Sequence, residues 1–246
     1  MHVEFLSHWS SELGREMPLN RYGHNGMPIM VFPSSGGSHE EYADFGMIEA
    51  CSEFINNGTV QFFTLSTNDH DSWLNQSKSA HDIALAHEAY ERYVIHEAVP
   101  FVKHKTWRDG PLMATGCSMG AYHALNMLLK HPDVFQKTVA FSGVYDARFF
   151  VGEYGDDSLV YNNSPSDYIW QQNDGWFIDR IRSADIIVST GLGAWEHDGL
   201  PSYNSLKEAF EEKEIPAWFD EWGVDVSHDW EWWRQQMPYF LEKLFY

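Results

Sequence analysis

Leu112-Met-Ala-Thr-Gly-Cys-Ser-Met-Gly-Ala-Tyr-His123 decides the fold, because it sets Ser118 in the pattern Gly116-x-Ser118-x-Gly120 between a strand-like run and a helix-like run. A serine hydroxyl is a weak nucleophile until a base removes its proton, so it must be presented where an imidazole can reach it. The two glycines carry no Cβ, which lets the strand and the helix approach closely. The stretch therefore predicts the nucleophile elbow of a serine hydrolase, and a plain strand-to-helix turn is the alternative.

Apolar runs and helical spacings alternate on both sides of this elbow. After an N-terminal hairpin over residues 3–22, strands are predicted at 28–33, 60–65, 111–114, 138–143, 186–191 and 218–222. Helices are predicted over 39–56, 79–104, 121–130 and 201–213 and from 229 onward, and residues 144–180, which lack a clear period, are predicted to form a small cap insertion. This order predicts one α/β domain over residues 1–246, with a doubly wound, mostly parallel sheet.

The charge of the chain argues against several classes of partner. Sixteen basic and thirty-six acidic side chains give a formal charge of −20, which repels nucleic-acid phosphates and anionic membranes. The N-terminus lacks a basic segment followed by an apolar one, and no run is long enough to span a bilayer. Two cysteines, Cys51 and Cys117, fit a reducing compartment. We expect a cytoplasmic protein whose partner is a small molecule; a homo-oligomer is compatible with this composition.

The loops after the strands are where an open α/β sheet carries its site. His228 follows the last strand and precedes the last helix, so the chain order of nucleophile first and histidine last is that of an α/β-hydrolase. An acid must orient the imidazole, and Glu196 is the first choice, Asp198 the second and Asp146 a distant third. The length of the loop decides among them.

An oxyanion needs backbone donors. The amide of Met119, directly after the nucleophile, should supply one, and the small-residue loop Ser34-Ser35-Gly36-Gly37 should supply the other from Ser35 or Gly36. The same loop could cradle a phosphate, but no Gly-Lys-Ser/Thr follows it, which argues against a P-loop.

Three His-Asp pairs and several loop residues are the candidates for metal and substrate contacts. The His-Asp pairs at 70–71, 197–198 and 228–229 lack the spacing that puts two ligands on one ion, so no metal or other cofactor is expected. Asp71, Trp73 and Trp230 are candidate substrate-binding residues. For each of them a purely structural role is at least as good an explanation.

The elbow, the Ser-Gly-Gly loop and the ending Gly223-x-Asp-x-x-His228-Asp-Trp-x-x-Trp-Arg234 together resemble the putative-esterase branch of the α/β-hydrolases. This branch is similar to esterase D (S-formylglutathione hydrolase) and to the antigen 85 mycolyltransferases. The resemblance implies that Ser118 is the nucleophile and His228 the base. Many relatives carry Asp three residues after the strand-ending glycine, where this chain has Ala194, so Glu196 would have to substitute from farther along the loop.

The hypothesis that follows is a serine carboxylesterase acting on a small or medium ester through an acyl-enzyme. An acyltransferase with the same triad is one alternative. A non-catalytic binding protein on a hydrolase scaffold is another.

Overall fold

A single eight-stranded sheet organises the chain in the computed structural model, which describes all 246 residues. The strands are β1 (Val3–Ser10), β2 (Arg15–Tyr22), β3 (Met27–Phe32), β4 (Val60–Leu65), β5 (Leu112–Cys117), β6 (Phe135–Phe141), β7 (Asp185–Thr190) and β8 (Trp218–Glu221). Their order across the sheet is β1-β2-β4-β3-β5-β6-β7-β8. The strands β1 and β2 form the predicted antiparallel hairpin, and β3 to β8 run parallel. The predicted α/β-hydrolase fold class is confirmed.

Alternating side chains of the central strands pack into two hydrophobic cores, one on each face of the sheet. Met30 and Phe32 of β3 point into the larger core, and Ile29 and Val31 point into the smaller one on the opposite face. Both faces are covered by helices, which is why the central strands read as continuous apolar runs.

The helices are α1 (Glu41–Asp44), α2 (Met47–Ala50), α3 (Ser52–Asn56), α4 (Ala80–Tyr93), α5 (Val99–Thr106), α6 (Met119–Lys130), α7 (Arg148–Val151), α8 (Ser158–Tyr161), α9 (Pro165–Gln171), α10 (Gly175–Arg182), α11 (Leu200–Glu212) and α12 (Trp230–Phe245). The four short helices α7 to α10 occupy the predicted cap insertion. No helix combines the length and the apolar character that a bilayer crossing requires.

Two predicted helices depart from a regular α-helix. The helix expected over 39–56 is broken into α1, α2 and α3, because Gly46 takes a left-handed φ of 77° between the first two. The helix expected over 79–104 is present from Ala80 to Thr106, and it contains a π-helical segment, Val94–Ala98, between α4 and α5. Pro100 follows that segment and has no N–H to donate, so the regular bonding pattern cannot run through it.

Two strands also differ from their predicted bounds by more than one residue. The elbow strand reaches Cys117, next to the nucleophile position, and β6 begins at Phe135 and ends at Phe141. The strand β6 stops there because Ser142 has a φ of 53°, outside the extended region.

Candidate active site

The turn from β5 into α6 holds Ser118 in a strained backbone conformation, with φ of 57° and ψ of −121°. The two glycines of this turn are required because neighbouring backbone atoms leave no space for a Cβ. A Cβ on Gly116 would lie 2.3 Å from the carbonyl carbon of Gly120, and one on Gly120 would lie 2.2 Å from the carbonyl oxygen of Phe32. Strand, turn and helix therefore pack without room for a side chain. Strain of this kind concentrates at functional sites.

Five neighbouring parallel strands, β3, β5, β6, β7 and β8, deliver their following loops to one edge of the sheet. The backbone ladder continues past two of these strand ends. The Ser118 N–H donates to the Phe141 carbonyl at 2.8 Å, and the Ser142 N–H donates to the Ser189 carbonyl at 2.7 Å. Ser118 and Ser142 thus stand side by side at the carboxyl ends of adjacent strands.

The structure brings His228 and Glu196 together. His228 Nδ1 lies 3.4 Å from Glu196 Oε2, and the His228 N–H donates to the carbonyl of Ala194 at 2.9 Å. The imidazole also meets the Trp233 indole edge-on, with ring centroids 5.0 Å apart. No hydrogen bond joins the Ser118 hydroxyl to this ring. Catalytic hydrogen bonds are often long in the absence of substrate and shorten when it binds.

Glu196 is buried, with 2% of its surface exposed, and its charge is satisfied by hydrogen bonds. Its Oε1 accepts from the Ser142 hydroxyl at 2.7 Å and from the Gly191 N–H at 3.2 Å. The Trp233 indole N–H in turn donates to Ser142 Oγ at 3.0 Å. A buried carboxylate held in this way is fixed in place, and its second oxygen, which also accepts from the Thr190 hydroxyl at 3.3 Å, faces the imidazole.

The other candidate acids lie elsewhere. Asp198 is 51% exposed and pairs with the neighbouring His197 at 3.3 Å, so it does not reach the His228 ring. Asp146 accepts hydrogen bonds from Arg148 instead.

The loop after β3 is held from below by Glu41. A Cβ on Gly37 would lie 2.3 Å from Glu41 Oε1, so loop and carboxylate are in tight contact. Glu41 is buried, and burial raises its pKa above the ordinary value, although hydrogen bonds from Ser34 oppose the shift. Ser35 and Gly36 lie at the exposed top of this loop. Met119 opens α6, where N–H groups have no carbonyl acceptor within their own helix.

An apolar cavity of about 220 Å³ opens between the elbow and this loop. Its lining consists of Ser35, Ser118 and Met119 together with Trp73, Leu74, Gln76, Val144, Phe149 and Phe150. Three wider grooves, of about 370, 480 and 500 Å³, lie elsewhere and contain none of these residues. The smaller cavity is the relevant one because a candidate nucleophile borders it.

The three candidate substrate contacts have different positions. Trp73 is fully buried and forms part of the cavity wall. Asp71 lies outside the cavity, where its carboxylate pairs with Arg15 at 2.9 Å near the surface. Trp230 packs instead between Tyr42 and Trp233 in the smaller core. No group of three or more His, Cys, Asp or Glu side chains is arranged to hold a metal ion.

Several contributors to this site were not foreseen from the sequence. Ser142 and Trp233, which hold Glu196, carry no motif. Glu41 reads in sequence as an ordinary acidic residue of a helix start. The positive φ of Ser142 at a strand end is the structural signal that marks it.

The sheet topology and the helices on both of its faces define the fold class as that of an α/β-hydrolase. The family model described as Putative esterase matches residues 11–244, so the chain belongs to that family of carboxylic ester hydrolases. The predicted resemblance is thereby confirmed. No curated protein matches the sequence.

Solved structures agree on the fold. A ferulic acid esterase superposes with a TM-score of 0.78 at 18% identity, covering 99% of this chain and 98% of that one. The S-formylglutathione hydrolase FrmB of Staphylococcus aureus gives 0.68 at 14% identity, with 100% of each chain covered. MPT51 of Mycobacterium tuberculosis gives 0.74 at 14% identity, covering 99% of this chain and 98% of that one.

Proposed function

We propose that this esterase hydrolyses small or medium carboxylic esters through an acyl-enzyme formed on Ser118. His228 acts as the base and Glu196 as the acid that orients it. The amides of Met119 and of Ser35 or Gly36 bind the oxyanion. The observation that carries the proposal is Ser118 on a strained elbow at the wall of an apolar cavity, with a His228–Glu196 pair on loops of the same sheet edge.

The chemistry proceeds in two halves. Ser118 Oγ attacks the ester carbonyl while His228 takes the hydroxyl proton, and the tetrahedral oxyanion faces the backbone amides. Collapse breaks the bond to the alcohol oxygen, which leaves with the proton from His228. Water then attacks the acyl-enzyme, gives a proton to His228, and that proton returns to Ser118 as the acid is released.

The cavity suggests the acyl half of the substrate. Six of its nine lining residues are hydrophobic, and three of those, Trp73, Phe149 and Phe150, are aromatic. A short aliphatic or a small aryl acyl group fits such a wall better than a charged one. The ferulic acid esterase among the similar structures acts on an ester of an aryl acid, which is consistent with this preference.

Replacement of Ser118 by Ala tests the proposal. Ser118→Ala should abolish turnover of p-nitrophenyl acetate and butyrate and prevent labelling by a fluorophosphonate probe, with an unchanged melting temperature. Ser38→Ala, at an exposed serine of the neighbouring loop, is the matched control and should retain both properties. Undiminished hydrolysis by the Ser118→Ala protein would reject Ser118 as the nucleophile.

Two alternatives are separated by further assays. Acyl transfer shares every step up to deacylation, so only product analysis with an added alcohol acceptor distinguishes it from hydrolysis. A binding protein without catalysis would leave Ser118 unlabelled by the probe. We also propose that the protein works in a reducing compartment such as the cytoplasm, since Cys51 and Cys117 are both free and buried.

A further inference from the structure

The two loops that carry Glu196 and His228 form one hydrogen-bonded unit. Three backbone hydrogen bonds join them: Leu192 N–H to Gly223 carbonyl at 3.2 Å, Gly193 N–H to Val226 carbonyl at 2.8 Å, and His228 N–H to Ala194 carbonyl at 2.9 Å. Because these bonds join backbone atoms, they fix the Cα positions in the two loops independently of the side chains that the loops carry.

This unit exposes large apolar side chains. Leu192 is 40% exposed, Trp195 75% and Val224 80%. Trp195 directly precedes Glu196 and is held at a φ of 67°, a left-handed conformation that is strained for a bulky residue. Side chains that remain uncovered next to a candidate acid and base, at some cost in backbone strain, point to a binding role.

The proposed reaction requires the alcohol half of the ester to lie next to His228. His228 must hand its proton to the leaving alcohol, so the alcohol oxygen has to lie beside the imidazole. In the proposed function the acyl half lies in the cavity lined by Ser35, Trp73 and Met119, and none of these residues belongs to the two loops. The alcohol half therefore extends from His228 over the loops that hold it.

We propose that Trp195, which belongs to the same hydrogen-bonded unit as Leu192 and Val224, is a platform for the alcohol half of the ester and selects alcohols with a flat apolar face. This inference rests on the proposed function. Carbocyclic alcohols and sugars share the required chemistry, because both present a ring face of C–H groups. An indole is the largest aromatic surface available for such a contact. A negatively charged alcohol is disfavoured, because the chain has a net charge of −20 and Asp198 lies in the same loop.

Esters of one acid with different alcohols test the platform. The butyrates of methanol, cyclohexylmethanol and glucose serve as substrates. Trp195→Ala should raise KM about tenfold for the ring alcohols, while leaving kcat/KM for methyl butyrate within about twofold of the wild type. Trp195→Phe should restore most of the loss. The two ring substrates show whether a carbocycle or a sugar is preferred.

Trp107 offers a matched control. It is 88% exposed and also has a positive φ, of 54°, but it precedes β5 and so lies at the opposite edge of the sheet. Trp107→Ala should change none of the three rates. An equal loss on all three substrates in Trp195→Ala would mean that Trp195 only positions Glu196, and it would overturn the proposal. An unchanged KM for the ring alcohols would overturn it as well.

Binding without turnover separates this inference from the proposed function. The Ser118→Ala protein and a Ser118→Ala, Trp195→Ala double variant are titrated with cyclohexylmethyl and glucosyl butyrate by calorimetry. Weaker binding by the double variant supports the platform even if Ser118 proves not to be the nucleophile. Equal binding by the two proteins contradicts it, whatever the outcome for Ser118.

Discussion

The carboxylate of Glu41 accepts two hydrogen bonds from Ser34, one from its backbone N–H at 2.8 Å and one from its hydroxyl at 2.5 Å. Ser34 begins the loop whose amides are proposed to bind the oxyanion. A buried anion under this loop therefore fixes the position of the groups above it. The proposed catalytic geometry depends on a residue that does not touch the substrate.

Glu41→Gln tests this dependence. Glutamine keeps one acceptor for the Ser34 N–H, but its NH₂ group can only donate, so the Ser34 hydroxyl must turn from donor to acceptor and both charge-assisted hydrogen bonds are weakened. Because removal of one oxyanion donor costs about 10²–10³ in kcat, we expect a fall in kcat of at least about tenfold with little change in KM. Glu40→Gln, at the exposed neighbouring residue, should have no effect. A loss confined to KM would contradict a role in holding the oxyanion loop.

Phe150 should limit the length of the acyl chain. It lines the cavity and packs against Trp73 and Tyr122 at ring-centroid distances of 5.4 Å. Phe150→Ala enlarges the cavity, so the ratio of kcat/KM for hexanoate to that for acetate esters should rise about tenfold or more. The cost in stability is about 3–5 kcal/mol. Phe54→Ala, in the core on the other face of the sheet, should be comparably destabilised with an unchanged ratio.

The elbow glycines should not tolerate alanine. Contacts of 2.2–2.3 Å to backbone atoms cannot be relieved by rotating a side chain, so Gly116→Ala and Gly120→Ala should each lower the free energy of unfolding by about 3 kcal/mol or more. Gly175→Ala is the control, because a Cβ there meets nothing within 4 Å in the first turn of α10. It should be neutral or mildly stabilising. Urea denaturation measures all three, and a wild-type stability for Gly116→Ala would refute the tight packing.

His87 should make the protein less stable in acid. Burial, and secondarily the neighbouring His123, hold the pKa of His87 well below its ordinary 6.5, and neither ring nitrogen has a hydrogen-bond partner. Below pH 6.5 the unfolded chain binds a proton at this position that the folded chain does not, so stability falls as the pH falls. His87→Phe removes this contribution.

The measurement compares unfolding at two pH values. Between pH 7.5 and 5.5 the stability of the wild type should fall by about 1.4 kcal/mol more than that of His87→Phe. His24→Gln, at an exposed histidine, should follow the wild type. Parallel pH dependence of wild type and His87→Phe would show that His87 takes up its proton in the folded state.

Local patterns in the sequence are sufficient to predict much of this fold. The strand Val60–Leu65 has its predicted bounds. The elbow lies between β5 and α6 as expected, because an apolar run followed by Gly-x-Ser-x-Gly is compatible with few structures other than a strand, a tight turn and a helix. The break at Gly46 and the π-helical segment before Pro100 are harder to predict. A single glycine or proline is often tolerated near a helix end, and tertiary packing decides whether the helix continues.

The candidate site shows where local patterns stop being informative. From the sequence, Trp73 in a loop and Trp230 at a helix start are equally good candidates for a substrate contact. In the structure only Trp73 borders the cavity with Ser118, and Trp230 packs against Tyr42. The contact between Glu196 and His228 spans 32 positions, and its geometry depends on Ser142 and Gly191. Such distances follow from how the loops fold against one another. The composition of either loop alone does not encode them.

The 191–196 and 223–228 segments are joined through main-chain atoms, so the position of their backbone does not depend on their exposed side chains. Side chains 192, 195 and 224 can be exchanged without removing any of the bonds that align Glu196 with His228. A library randomised at those three positions alone would therefore test new leaving groups while the proposed catalytic pair stays in place, which makes these positions a starting point for directed evolution.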